Sequence, residues 1–134
     1  MLVAVNEAEQ IINLLEFSKS DLTELVGQFL RCPACKSQVR LKNAHVKMPH
    51  FAHVNLAACQ YYSENESLQH LTLKKRLYHW FKQTEQVKIE HFLPELQQTP
   101  DLLVNETIAI EIQCSHLSIQ RLRERTETYR AHGY

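Results

Sequence analysis

Residues 100–115 read PDLLVNETIAIEIQCS, two extended apolar runs, 101–104 and 107–115, separated by the polar pair Asn105-Glu106. β-Branched residues on either side of such a break predict a β-hairpin. Side chains alternate faces along a strand, so Ile108, Ile110 and Ile112 share one face while Ala109, Glu111 and Gln113 share the other. The isoleucine face is expected to be the buried one. A carboxylate on such a strand is costly to bury unpaired, so Glu111 requires a cation, a metal or water beside it.

What Glu111 faces depends on the register of the hairpin. A two-residue loop at 105–106 pairs Asp101 with Ile110 and aims the two acids to opposite sides, whereas a three-residue loop at 105–107 pairs Asp101 with Glu111 on one side. A shared site therefore demands an odd loop or a bulge. Two carboxylates on neighbouring strands suit a hard divalent cation, which takes oxygen ligands and acidifies a bound water. The alternative reading makes Asp101 part of a Pro-Asp turn and pairs Glu111 with Lys or Arg at a sheet edge. A third acid, Glu66, lies four residues before His70, the spacing of neighbours on a helix. Ser63 and Glu66 also have the spacing of a capping box, which accounts for that acid without a site.

Outward from the hairpin, 63–83 (SENESLQHLTLKKRLYHWFKQ) predicts a helix through Leu68, Leu71, Leu77, Trp80 and Phe81, with Lys74, Lys75 and Arg76 solvated. Residues 87–93 alternate as a strand, and an arginine-rich helix is expected from about 118 to 132. Residues 1–5 read as a strand, 9–16 as an ambiguous extended segment, and 18–27 as a short helix stopped by Gly27. Residues 29–59 read as irregular. The expected fold class is mixed α/β with two parts, a 1–60 region holding a zinc-finger-like module and a 61–134 core. The chain ends before a fourth central strand would form, which predicts a piece of a longer protein.

Composition limits the function classes. The 134 residues carry 15 basic and 15 acidic side chains, so a nucleic-acid contact must be local rather than a bulk charge effect. No stretch has the roughly 18 apolar residues of a membrane span, and the first ten residues lack a signal-peptide pattern, so a soluble cytoplasmic protein without membrane partners is expected. Two glycines and four prolines exclude a low-complexity chain. Cys32 and Cys35 form a Cys-x2-Cys pair that suits a metal clip better than a disulfide framework. His50, His53 and Cys59 offer the other half of a tetrahedral zinc site. Cys32, Cys35, His53 and Cys59 are the preferred set, with His50 as substitute, because Phe51 then packs inward while His53 closes the knuckle. Four protein ligands make such a zinc structural; the alternative is a reduced thiol pair with solvated histidines. The basic residues Lys36, Arg40, Lys42, His45 and Lys47 either touch phosphate or form a solvated face. Cys114 is expected in the core.

Several motifs together, CPAC (32–35), LKNAHVKMPHFAH (41–53) with Cys59, ENESLQHLTLKKRLYHWF (64–81), QQTPDLLV (97–104), IAIEIQCS (108–115) and RLRERTETY (121–129), resemble the competence protein CoiA family, whose nuclease-like domain belongs to the PD-(D/E)xK superfamily. The resemblance implies a restriction-endonuclease-like core and a metal-dependent nuclease acting on DNA during transformation, near the recombination machinery. Asp101 and Glu111 would be ligands to catalytic Mg²⁺ or Mn²⁺, beside a structural zinc, and Glu66 would be an accessory acid. No small-molecule cofactor is implied. Gln113 stands where most of the superfamily carries lysine, and an amide supplies no full positive charge. Slower chemistry, a displaced basic residue such as Arg121 or Arg125, and loss of cleavage all remain open, the last giving a DNA- or protein-binding adaptor. The arginines of the last helix either line a DNA groove or form a charged solvent face.

Overall fold

The computed structural model describes residues 1–43, 48–55, 59 and 66–134. These residues form two compact units, Met1–Leu68 and Gln69–Tyr134.

The first unit is built on a five-stranded antiparallel sheet. Strands β1 (Val3–Val5) and β2 (Ile11–Asn13) form a hairpin, and β1 also pairs with β3 (Leu30–Arg31). Strand β4 (Gln38–Lys42) joins β3 to β5 (His50–His53), giving the order β2-β1-β3-β4-β5. The described residues of 29–59 therefore include three strands where the sequence suggested irregular structure. The reason is length: a strand of two residues and one of five give too little alternation to register as a pattern. The short helix expected after Ser18 is a 3-10 turn over Asp21–Leu25, and Gly27 follows it at φ +84°, a backbone conformation that suits glycine. Leu2, Leu30, Val39 and Phe51 are among the fully buried side chains.

The second unit packs α1 (Leu68–Phe81) and α2 (Ile119–Ala131) with an antiparallel sheet of β6 (Val87–Ile89), β7 (Leu102–Val104) and β8 (Ile108–Ile110), in the order β6-β7-β8. Each element is shorter than its sequence suggested. The Ser63 arm of the suggested capping box lies outside the described residues. Ser118 caps α2, its hydroxyl accepting from the Arg121 amide.

Burial departs from expectation in three places. The buried positions of α1 are Leu71, Lys74 and Tyr78, so a lysine expected in solvent occupies the inward stripe, while Trp80 is 62% exposed. Central strand β7 is buried throughout, but β8 is an edge strand and Ile108 stands 54% exposed. The deeper side of β8 is the alanine side: Ala109 packs on the cluster of Leu93, Leu96, Leu103 and Tyr129. Cys114 lies beyond β8 and is half-buried rather than core.

Candidate functional site

In the first unit, Cys32 and Cys35 sit in the tight connection between β3 and β4. The Cys32 amide donates to the Ser37 carbonyl (2.8 Å) and the Lys36 amide to the Cys32 carbonyl (3.0 Å), with Lys36 at φ +62°. That knuckle turns both sulfurs to one side. On β5, paired to β4 with Val39 opposite His53, alternation puts Phe51 and His53 on a common face. Phe51 is 1% exposed and His53 is buried beside it. One ligand atom from each of Cys32, Cys35, His53 and Cys59 lies within 4.8 Å of all the others. His50 is outside that group, its Nδ1 lying 3.0 Å from the Met48 carbonyl.

The cysteines form no disulfide. Burial pushes the Cys32 thiol up to about 12, helped by the neighbouring Cys59. Burial also raises Cys35, but hydrogen bonds from the Ser37 hydroxyl and amide, with those of Cys59 and Cys32, outweigh it and bring Cys35 down to about 7. Three sulfurs and an imidazole packed this closely, with one thiol already acidic, form a donor set that suits a tetrahedral zinc-type ion with no open position.

In the second unit, the loop joining β7 to β8 spans three residues, 105–107, with Asn105 and Glu106 in the left-handed region (φ +49° and +59°). Leu102 pairs with Ile110 and Leu103 with Ala109, so the next step places Asp101 opposite Glu111. On the other edge Ile89 pairs with Leu102, and the Glu90 amide donates to the Asp101 carbonyl (3.1 Å), which sets Glu90 opposite Asp101. Three acids, Glu90, Asp101 and Glu111, thus form one row across the end of the sheet.

Each acid is held. Lys74 Nζ lies 2.8 Å from both Glu90 Oε1 and Asp101 Oδ1, and both Lys74 and Glu90 are 2% exposed. Asp101 Oδ2 also accepts from the Ile112 amide (2.7 Å) and lies 3.0 Å from His70 Nε2. Burial works to raise the Asp101 carboxyl, but His70, Lys74 and the Ile112 amide outweigh it and hold it below the usual carboxylate range. Glu111 accepts from the Tyr129 hydroxyl (2.8 Å) and pairs with Arg125 (3.4 Å). Burial pushes its carboxyl up; Arg125 counters this and the Asp101 charge adds to it, with a raised net result. The Tyr129 phenol is driven well above its usual range by burial and by Glu111. Neighbouring strand positions therefore carry a strongly ionised carboxylate and a more basic one, the asymmetry that divides ligand and proton-accepting roles in hydrolytic sites.

The Gln113 amide is exposed and donates to the Ser115 carbonyl (2.7 Å). Arg121 is exposed, whereas Arg125 is committed to Glu111. Glu66 pairs with the Met1 amine at 3.2 Å. Glu111 belongs to no group of three or more His, Cys, Asp or Glu ligand atoms within 4.8 Å of one another among the described residues. Lys74 and Glu90 were missed by sequence reasoning. The signal for Lys74 was its place between Leu71 and Tyr78 at helical spacing; Glu90 gave none, because its φ of +47° breaks the alternation that placed it.

The second unit thus carries a buried cation among carboxylates, and the first a Cys and His group that could hold a metal ion. The family model described as "Competence protein CoiA, nuclease-like domain" matches residues 66–134, and that described as "Competence protein CoiA, N-terminal domain" matches residues 14–62. The chain belongs to the CoiA family. It is 32% identical over 106 residues to the competence protein CoiA of Bacillus subtilis (strain 168), a match that covers 76% of this chain and 28% of that protein. The chain therefore spans under a third of the length of that relative. No solved structure matches it. Among the described residues, no helix is long and apolar enough to cross a membrane.

Proposed function

We propose that the chain is a divalent-metal-dependent deoxyribonuclease domain that works in the cytoplasm on DNA taken up during competence, beside recombination proteins, with the Cys32, Cys35, His53 and Cys59 centre holding a structural zinc. The observation that carries this reading is the odd hairpin loop, which sets Asp101 opposite Glu111 on one side of the sheet. Each carboxylate offers about four lone pairs. Asp101 uses three toward His70, Lys74 and Ile112 and Glu111 uses two toward Tyr129 and Arg125, so both keep room for a hard cation. Bound Mg²⁺ or Mn²⁺ supplies an acidified water and charge neutralisation at the phosphodiester. Asp101, whose carboxyl is held below its ordinary range by His70 and Lys74, is suited to ligate the ion. Glu111, the more basic carboxylate, is suited to ligate or to accept a proton while Tyr129 and Arg125 orient it. Glu66, one helical turn ahead of His70 in sequence, is assigned as an accessory acid, Gln113 as a neutral group in the lysine position, and exposed Arg121 as a DNA contact.

The test incubates linear, circular and single-stranded DNA with Mg²⁺ or Mn²⁺ and compares the native chain with Glu111→Ala. A metal-dependent cut that falls by about a hundredfold or more in the variant is expected. Cutting that persists unchanged in the variant sinks the assignment. The adaptor reading has its own support, the Gln113 amide turned to Ser115. DNA retention with no cut by the native chain favours that reading.

A further inference from the structure

We propose that Lys74 is the positioning residue of this site, a built-in cation that stands in for the charge Gln113 lacks and sets how tightly the acidic row takes up a divalent ion. The inference rests on the nuclease reading above and deepens it.

The geometry excludes two simpler roles. A surface lysine that merely helps solubility would not be 2% exposed with its ammonium 2.8 Å from each of two carboxylates. A packing residue would serve as well without charge, yet Lys74 occupies an inward position between Leu71 and Tyr78 where an apolar side chain would need no desolvated partner. Gln113, whose position would ordinarily supply the positive charge, instead bonds Ser115. Lys74 is thus the cation fixed on Asp101, and Glu90 fixes Lys74. This pairing leaves Asp101 ionised and oriented.

The arrangement also makes a prediction that a structural role does not. The formal charges of Lys74, Glu90 and Asp101 sum to one negative. Removing the ammonium leaves two, so a divalent cation should bind more tightly even as the geometry of Asp101 loosens. A residue needed only for the fold would weaken ion binding when lost. Loss of a positioning residue should show the opposite sign for binding and a loss for cleavage.

The experiment measures Mn²⁺ affinity by calorimetry, alongside cleavage of linear DNA, in the 134-residue chain and three variants: Lys74→Met, the uncharged pair Lys74→Gln with Glu90→Gln, and Glu111→Ala. The paired variant removes buried charges of both signs together and so keeps the test available if Lys74→Met fails to fold. Expected is Mn²⁺ binding tightened about tenfold or more in Lys74→Met, with cleavage down about a hundredfold. The paired variant keeps the native sum of one negative charge, so its Mn²⁺ binding should stay about unchanged while cleavage is lost as fully. Unchanged or weaker Mn²⁺ binding in Lys74→Met, or cleavage kept near the native rate in the paired variant, with Glu111→Ala still weakening binding, overturns the role of Lys74 and leaves the nuclease reading intact. Native protein that takes up no Mn²⁺, with Glu111→Ala indistinguishable from it, overturns both.

Discussion

The two units meet the same problem, polar ligand-type groups drawn close together, in opposite ways. In Met1–Leu68 three sulfurs and an imidazole converge into a group that could hold a metal ion, with no side-chain cation among its four members. In Gln69–Tyr134 the acids converge on cations the chain itself provides: Lys74 for Glu90 and Asp101, Arg125 for Glu111. The first centre should therefore be part of the fold only when loaded, while the second is assembled before any ion arrives. A structural centre spends an ion on folding; a preorganised one keeps its carboxylates ready for an ion that comes and goes.

The largest effect that would break this contrast comes from removing the metal. Structural zinc in small modules contributes about 10 kcal/mol or more. A strong chelator, or Cys35→Ser, is expected to abolish amide protection over Met1–Leu68 while leaving Gln69–Tyr134 protected, as read by hydrogen exchange. Equal loss in both units would contradict the contrast. Next in size is Lys74→Met, which leaves two buried carboxylates without their shared cation and is expected to cost the second unit about 3–5 kcal/mol in urea unfolding. Lys74→Gln with Glu90→Gln should cost clearly less, since charges of both signs leave together.

The smallest and sharpest effect is in pH. Glu111 is held above its ordinary value in the folded chain, so its contribution to stability is full below the unfolded carboxyl value and is lost as pH rises through the folded one. Asp101 is held below its ordinary value, so its contribution is present above the unfolded value and is lost as pH falls through the folded one. Unfolding free energies should therefore show Glu111→Gln gaining on the native chain as pH rises from about 4 to about 7, and Asp101→Asn gaining on it as pH falls below about 4. Parallel curves for the two variants would mean that these neighbours do not differ.

How much of this was legible in the sequence depends on what each feature needed. The zinc-type ligands were legible because Cys-x2-Cys and His-Phe-Ala-His carry their geometry in local spacing. The hairpin was legible as a parity question, since only an odd loop aligns Asp101 with Glu111, and Asn105 and Glu106 both take the left-handed conformation that turns such a loop. The short strands β3, β4 and β5 were not legible, because two to five residues give alternation no room. Nor was the exposure of Ile108: an apolar run does not announce that it forms an edge. Lys74 was hidden by chemistry, for a lysine followed by two more basic residues, Lys75 and Arg76, reads as solvated until one partner just past β6 and another just before β7 are seen beside it.

The position of Trp80 has a practical consequence for anyone measuring these effects. It is the sole tryptophan in the chain and is already 62% exposed, so its emission should shift little between native and denatured protein. The buried phenol of Tyr129, bonded to Glu111, is the better optical reporter, and its near-ultraviolet absorbance should register disturbance of the acidic row that tryptophan fluorescence would overlook.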